Sequence, residues 1–264
     1  MLSLIVPTLG NRPKELRRLL DSLDNQTYKK FEVIIVSQDN FDKVDDILEE
    51  YNLCYQHIKT NQRGLSNARN IGLKYIVGSI VTFSDDDCWY PTNALGKISN
   101  DFESSNSSII CYQIEDPIKK QLYKSYPNKH MEKIGFRGVF NKSSIEIFLN
   151  LGKVAREDIV FDINFGLGTA YPSGEENIFL YDLFRKGYSI GYKPYIAVYH
   201  EKRSIDSRLN DSTFIGKGPM FRRMFNLPVA IVLIVLFYLK KKRNIKNGKS
   251  LMLRVIKETV KYRK

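Results

Sequence analysis

The sequence predicts an α/β fold in which a mostly parallel sheet is flanked by helices. Short apolar runs rich in branched residues, such as "LSLIVPT" and "FEVIIVS", lack the strict alternation of a one-sided strand. Such runs are typical of strands that are buried on both faces. Segments with helical periodicity separate the runs, and 43% of the 264 residues are hydrophobic, which is enough for a sizeable core.

The predicted elements alternate from the N-terminus. After the first strand, Pro13 falls in the first turn of a helix, and leucines recur on one face of it. The second strand is followed by a helix in "FDKVDDILEEYN", a strand around "CYQHIKT", a helix through "LSNARNIGLKYIVG" and the strand "SIVTFS". A helix in "NALGKISNDFESS", the strand "SIICYQI" and a helix opening at "GEEN" come later, whereas residues 115–145 indicate no regular element.

The segment "FSDDDCWYP" places three adjacent carboxylates, Asp85, Asp86 and Asp87, at the end of a predicted buried strand. Open α/β sheets bind ligands at the carboxyl ends of their strands. Adjacent carboxylates repel one another unless a cation lies among them, and Asp oxygens suit Mg²⁺ or Mn²⁺ bridged to substrate phosphates. The turn therefore predicts a divalent-cation site, and a solvated acidic turn is the alternative.

Seven motifs in order make residues 2 to about 205 resemble the family 2 glycosyltransferases. The motifs are "IVPTLGNRPKELRRLLDSL", "FEVIIVSQDN", "NQRGLSNARNIGL", "VTFSDDDCWYP", "FGLG", "SGEENIFLYDLFRKGYSIGY" and "VYHEKRS". The resemblance implies a GT-A fold with a Rossmann-like sheet, and an inverting transfer of a sugar from a nucleotide-diphosphate donor.

The resemblance also implies roles for the acidic turn. Asp87 is expected to bind the divalent cation on the donor diphosphate, while Asp85 contacts the ribose or the cation, with Asp86 between them. His200, which follows "PYIAVY", is expected to reach back to the cation. A structural histidine is the alternative for His200.

A catalytic base is expected in the acidic pair at the start of the "EENIFLYDLFRKG" helix. A carboxylate there would deprotonate the acceptor hydroxyl. The resemblance favours Glu176, with Glu175 as the second candidate, although this chain has Glu where Asp is usual in the family. The alternative is that the two acids only complement the helix dipole.

The nucleotide pocket is expected at the end of the first strand, where Pro7, Thr8 and Leu9 would form its floor. In "VSQDN" only Asp39 remains to contact the base and the ribose, where many relatives have an acidic pair. The expected donor is a UDP-sugar.

Two further residues near the motifs have open alternatives. Arg69 of "NARN" is expected to approach the diphosphate, or else to form an ion pair on the surface of its helix. Trp89 offers a face for a sugar ring, or else fills the core beside the turn.

The positive charge is concentrated at the C-terminus. Residues 1–213 carry 27 Lys and Arg against 28 Asp and Glu, a net of −1, whereas residues 214–264 carry 14 against one, a net of +13. We therefore predict a glycosyltransferase domain over residues 1–213 and a basic, partly apolar helical tail over residues 214–264. The apolar run 227–239 would span about 20 Å as a helix, short of the roughly 30 Å hydrocarbon core of a bilayer.

The cations that flank this run favour an interfacial anchor on an anionic membrane surface. A helix packed on the domain and a homodimer contact are the alternatives. Nucleic-acid binding is disfavoured, because no aromatic platforms interleave the cations. Three cysteines without a CxxC pair, and no signal-peptide pattern, predict a cytoplasmic protein. Together with the predicted anchor, this location places the protein on the inner face of the cell membrane and, by analogy, suggests a lipid-linked glycan as acceptor in surface polysaccharide assembly.

Two other classes of protein compete with this interpretation. A nucleotidyltransferase also uses a metal-bound acidic turn, but it would need a glycine-rich loop after the first strand, where "PTLGNRPKEL" has one glycine. A non-catalytic assembly protein on the same fold is disfavoured by Asp87, Glu176 and His200. No QxxRW motif occurs, so we predict single addition and not a processive synthase, and His57 and His130 match no motif.

Overall fold

The computed structural model describes residues 1–202, 210–242 and 248–263. The elements in chain order are β1 (Leu2–Thr8), α1 (Pro13–Asp24), β2 (Phe31–Ser37), α2 (Phe41–Leu48), β3 (Tyr55–Lys59), α3 (Leu65–Gly72), β4 (Ile80–Phe83), α4 (Ala94–Ser104), β5 (Ile109–Asp116), β6 (Gln121–Leu122), α5 (Phe136–Val139), β7 (Ile147–Asn150), α6 (Glu175–Arg185), β8 (Ile190–Tyr199), α7 (Asp211–Met224), α8 (Leu227–Lys241) and α9 (Gly248–Lys261).

The described residues form one mixed sheet of eight strands in the order β3-β2-β1-β4-β7-β5-β6, with β8 paired to β5. The predicted parallel strands β1 to β4 are confirmed, and β5 and β8 are also parallel. The short strand β7 lies antiparallel between β4 and β5, and β6 is antiparallel to β5. The α/β prediction therefore holds, and β7 accounts for much of the mixed character of the sheet.

Helices cover both faces of this sheet. Every residue of β1 and β2 is buried, as their continuous apolar runs predict. Alternate residues enter two cores. Leu4 packs with the inner faces of α1, α2 and α4, while Ile5 packs with α3, α6 and the C-terminal helices. The strands that lead to the candidate site are thus packed on both faces.

The C-terminal helices share the second core with the sheet. Phe214 and Met220 of α7, Ile234 of α8 and Val255 of α9 are buried in it. The opposite side of α8 exposes five apolar residues, which are Val229, Val232, Val235, Leu236 and Leu239. None of the helices in the described ranges has the length and apolar character needed to cross a membrane.

Candidate active site

A cleft opens at the carboxyl edge of β1, β2 and β4, where the predicted site lies. Two adjoining cavities of about 580 and 330 Å³ share five lining residues, which are Pro7, Arg12, Leu65, Asp86 and Leu167. The larger cavity is also lined by Thr8, Leu9, Asn11, Gln38, Arg63, Gly64 and Gly168. The smaller one is completed by Asp85, Asp87, Tyr123, Ser143 and His200. The cleft thus brings Pro7, Thr8 and Leu9, the expected floor of the nucleotide pocket, together with the acidic turn.

The acidic turn is fastened to the end of β1. Thr8 Oγ1 donates a hydrogen bond of 2.7 Å to Asp86 Oδ2 and accepts one of 3.0 Å from the amide of Gly10. Gly10 has a φ of +64°, and a Cβ at this position would lie 2.8 Å from Cβ of Asn40. Glycine therefore allows the first loop to lie directly against the loop before α2.

Arg12 balances much of the charge of the turn. One of its guanidinium nitrogens lies 2.5 Å from Asp86 Oδ1, and the other pairs with Asp87 Oδ2. Asp86 is buried, and burial raises the pKa of its carboxyl to about 6 even though Arg12 and Thr8 favour the charged form. The repulsion among the three adjacent carboxylates is reduced because cationic side chains of the protein pair with them.

His200 reaches the turn because two distant segments pair. Trp89 and Tyr199 exchange backbone hydrogen bonds of 3.0 and 2.7 Å in an antiparallel bridge, and His200 follows at once. Its Nε2 lies 3.1 Å from Asp87 Oδ1. The guanidinium of Arg18 lies 3.8 Å from the centroid of the Trp89 ring, so a protein group covers one face of this indole.

Asp85, Asp87 and His200 form a candidate metal centre. Each offers one ligand atom, and these atoms all lie within 4.8 Å of one another. Two carboxylate oxygens and one imidazole nitrogen suit Mn²⁺, and carboxylates also suit Mg²⁺. Burial lowers the pKa of His200, but the hydrogen bond and the charge of Asp87 outweigh burial and leave that pKa raised. These residues therefore fit a divalent cation.

Arg69 joins the acidic turn to the acidic pair on α6. Its side chain is only 1% exposed, and it donates hydrogen bonds of 3.1 Å to Asp85 and 2.8 Å to Ser144. A third contact, of 3.4 Å, reaches Glu175 Oε1. The guanidinium thus binds protein groups within the core, and it lies neither on the helix surface nor open to a diphosphate.

The acidic pair divides into one buried and one partly exposed carboxyl. Glu175 is buried, and burial followed by the charge of Glu176 raises its pKa to about 7, against the opposing charge of Arg69. Glu176 is half-buried. The preceding Gly174 has a φ of +99°, and a Cβ there would lie 2.6 Å from Sδ of Met220. Helix α7 therefore packs directly against the start of α6.

The "FGLG" segment forms the wall of the cleft opposite β1. Its Leu167, 57% exposed, lines both cavities, and the Leu167 carbonyl accepts a hydrogen bond of 2.9 Å from the amide of Leu65. The ring centroid of Tyr262, the residue after α9, lies 5.8 Å from the ring centroids of Phe165 and Tyr171. This wall is held between α3 and the C-terminal helix.

Asp39 lies outside the lining of both cavities and pairs with Arg63 at 2.7 Å. Its neighbour Gln38 lines the larger cavity and donates a hydrogen bond of 3.0 Å to the carbonyl of Gly64. Sequence reasoning missed Gln38, Arg63 and Arg12. The signal available for Arg12 was an arginine in the loop after β1, because three acids follow the neighbouring strand β4.

Two histidines that match no motif have ordinary polar roles. His57 lies 2.6 Å from Asp45 and 2.7 Å from Ser37, and it links α2 to the neighbouring strands. His130 lies on the surface, 2.6 Å from Glu132. Neither residue lines the cleft.

The comparison with known families agrees with this architecture. The family model described as "Glycosyl transferase family 2" matches residues 3–155, more than half of the chain. The chain therefore belongs to glycosyl transferase family 2.

Several curated relatives are similar in sequence. An uncharacterized glycosyltransferase of Haemophilus influenzae is 30% identical over 223 residues, which cover 77% of this chain and 70% of that protein. The putative glycosyltransferase EpsH of Bacillus subtilis is 30% identical over 140 residues, 48% of this chain and 41% of EpsH. The minor teichoic acid biosynthesis protein GgaB of the same organism is 31% identical over 113 residues, 40% of this chain and 12% of GgaB. The chain thus spans less than half the length of EpsH and GgaB.

Solved structures share the fold. TarS 1–349 of S. aureus in complex with UDP-GlcNAc has a TM-score of 0.75 at 17% identity, covering 99% of this chain and 81% of that chain. The mannosyltransferase PcManGT of Pyrobaculum calidifontis, in complex with GDP-Man and Mn²⁺, has a TM-score of 0.62 at 14% identity, covering 97% and 73%. The mixed sheet flanked by helices is a GT-A fold.

Proposed function

We propose that the chain is an inverting glycosyltransferase that moves one sugar from a UDP-sugar to a hydroxyl of an acceptor glycan. The observation that carries this proposal is the link made by Arg69 between the Asp85 end of the candidate metal centre and the acidic pair on α6. Arg69 thereby connects a group suited to a cation on the diphosphate to the helix start whose carboxylate is proposed to remove a proton. The UDP-GlcNAc bound to TarS supports a uridine nucleotide.

Asp85, Asp87 and His200 are the residues that would hold Mn²⁺ or Mg²⁺. When bound, such a cation supplies positive charge opposite the donor diphosphate. The larger cavity, with Pro7 and Thr8 on its floor, would take the nucleotide. The Mn²⁺ in the mannosyltransferase complex supports this use of the fold.

Glu176 is the proposed base because it is the member of the pair that solvent can reach. Its carboxylate takes the proton of the acceptor hydroxyl, and the acceptor oxygen forms the new bond to the anomeric carbon. The bond from that carbon to the diphosphate breaks, and its electron pair leaves with the diphosphate, so the configuration inverts. Glu175, buried against Arg69, positions the start of the helix.

The acceptor is proposed to be a lipid-linked glycan at the cytoplasmic face of the cell membrane. Support comes from the exposed apolar residues of α8, which the basic residues Lys240, Lys241 and Lys242 follow directly. Apolar and cationic groups on one helix suit an anionic bilayer surface. The relative GgaB, a teichoic acid biosynthesis protein, supports a role in surface polysaccharide assembly. A homodimer contact through the same apolar residues is the competing use of this surface.

A panel of nucleotide sugars, each incubated with and without Mn²⁺, tests the proposal. Release of UDP from one UDP-sugar, dependent on Mn²⁺, is expected. The matched variants Glu176→Gln and Glu175→Gln then locate the base, since Glu176→Gln keeps shape but cannot accept a proton. We expect transfer to fall about 100-fold in Glu176→Gln while donor binding survives.

The competing classes give different results in the same assay. A nucleotidyltransferase would release pyrophosphate from a nucleoside triphosphate and leave the UDP-sugars intact. A non-catalytic protein would bind a nucleotide sugar without releasing UDP. Either result would refute glycosyl transfer, and loss of transfer in Glu175→Gln alone would move the base by one residue.

A further inference from the structure

We propose that Arg12 is an exchangeable counter-cation: it neutralises the acidic turn in the free protein and passes to the donor diphosphate when a divalent cation binds the turn. This inference rests on the proposed function, because it names the residue that receives the diphosphate in the same cleft. It assigns a ligand-binding role to a side chain whose ion pairs within the described residues are with Asp86 and Asp87.

The contacts of Asp87 indicate that a neighbouring cationic side chain must move when a divalent cation binds this residue. Its Oδ2 pairs with Arg12, and its Oδ1 lies 3.1 Å from His200 Nε2. A divalent cation on Asp87, held also by Asp85 and His200, would face the guanidinium of Arg12 across a single carboxylate. Two positive charges on either side of one carboxylate repel each other strongly in a partly buried site. Arg12 is the group that can yield, because His200 belongs to the candidate ligand set.

Arg12 has the freedom that such an exchange needs. Its side chain is 37% exposed, whereas that of Arg69 is 1% exposed and hydrogen-bonded to three protein side chains. It follows the first loop directly and precedes Pro13, the first residue of α1, so its backbone is fixed while its side chain borders open space. Rotation of its side-chain torsions would turn the guanidinium without disturbing the core.

The cavities into which the guanidinium of Arg12 would turn are present in the structure. Arg12 lines both the 580 Å³ cavity and the 330 Å³ cavity, and thus borders the route from the nucleotide floor to the acidic turn. A guanidinium presents a planar fork of donors that matches phosphate oxygens two at a time. A diphosphate in this position would therefore gain two charge-assisted hydrogen bonds.

The charges are consistent with an exchange. Within the described residues, Arg12 and Arg69 pair with carboxylates of the turn. A divalent cation added while Arg12 stayed would place two more positive charges beside its guanidinium. If Arg12 leaves as the cation arrives, the cation replaces it beside the carboxylates, and Arg12 is available to the anionic diphosphate.

Two binding measurements on the full chain test the exchange. The first is binding of Mn²⁺ alone, followed by electron paramagnetic resonance, and the second is binding of UDP in saturating Mn²⁺, followed by calorimetry. In Arg12→Gln we expect Mn²⁺ to bind about tenfold more tightly, because its competitor is gone, and UDP to bind about tenfold more weakly. Arg12→Lys keeps the charge without the fork, so it should leave Mn²⁺ affinity near that of the native protein and still weaken UDP.

Control variants separate the exchange from general effects. Arg63→Gln removes a cation from the lining of the larger cavity without touching the turn, so its Mn²⁺ affinity should be native. Arg17→Gln, a surface change on α1, should be native in both measurements.

The outcomes distinguish this inference from the proposed function. Native Mn²⁺ affinity in Arg12→Gln, or equal tightening in Arg63→Gln, would overturn the competition at the turn. Native UDP affinity in both Arg12 variants would overturn transfer to the diphosphate. If the native protein itself binds neither Mn²⁺ nor UDP, the proposed function fails, and the exchange fails with it.

Discussion

The buried carboxyl of Glu175 should make the stability of the fold depend on pH. Substitution by glutamine keeps the shape of the side chain and an oxygen that can accept from Arg69, but removes the titration. Burial and the charge of Glu176 raise the pKa of Glu175 from 4.5 to about 7. The folded protein therefore binds this proton more tightly than the unfolded chain does.

The sign and size of the effect follow from this difference. Glu175 contributes its full stabilisation below pH 4.5, where both states are protonated, and this contribution is lost as the pH rises through about 7. A shift of this size corresponds to about 3 kcal/mol, since one pKa unit is worth 1.36 kcal/mol. The glutamine variant should not show this loss, so its advantage over the native protein should grow by about 3 kcal/mol between pH 4.5 and 8.

Urea unfolding of the two proteins at intervals across this pH range measures the difference directly. Glu176→Gln is the matched control. It removes the neighbouring charge and should reduce the pH slope without abolishing it. A difference between the Glu175→Gln and native proteins that stays constant from pH 4.5 to 8 would show that the carboxyl is ionised in the fold throughout, and would refute the argument.

The remaining predictions concern the metal and the tail. Asp87→Asn should abolish Mn²⁺-dependent release of UDP while leaving the urea midpoint near native, and full activity in this variant would remove Asp87 from the metal centre. Val232→Glu with Leu236→Glu, both on the exposed side of α8, should prevent flotation with anionic vesicles, whereas Ile118→Glu, an equally exposed apolar position elsewhere, should not. If the tail variant changes the sedimentation mass and not vesicle binding, the apolar side of α8 is a dimer contact.

The parallel strands and the place of the site could be predicted because they depend on local sequence pattern. Buried parallel strands are recognisable as continuous runs of branched apolar residues. Ligands bind at the carboxyl edge of such a sheet, so three adjacent acids at this edge indicate a binding site. The confirmed β1, β2 and β4 carry Thr8, Gln38 and the acidic turn to one cleft.

The rest depended on contacts between residues distant in the chain, which no local pattern encodes. Strand β7 has four residues and pairs with β4 and β5, which lie far from it in the sequence. The burial of Arg69 arises from Asp85 and Glu175, which lie 16 and 106 positions away. The charge pattern separated the tail from the domain, yet Phe214 and Met220 lie in the common core.

The close approach of Gly174 to Met220 bears on how this protein could be recombined with its relatives. The helix that carries the acidic pair begins against α7, so α6 and the C-terminal helices should be exchanged together. A chimera that takes residues 1–155 from a relative should keep everything from α6 to α9 of a single parent. Chimeras joined between α6 and α7 would place another parent's side chain at position 220, against Gly174, where the packing is tight. The yield of soluble protein should therefore be lower for these chimeras than for chimeras joined at residue 155.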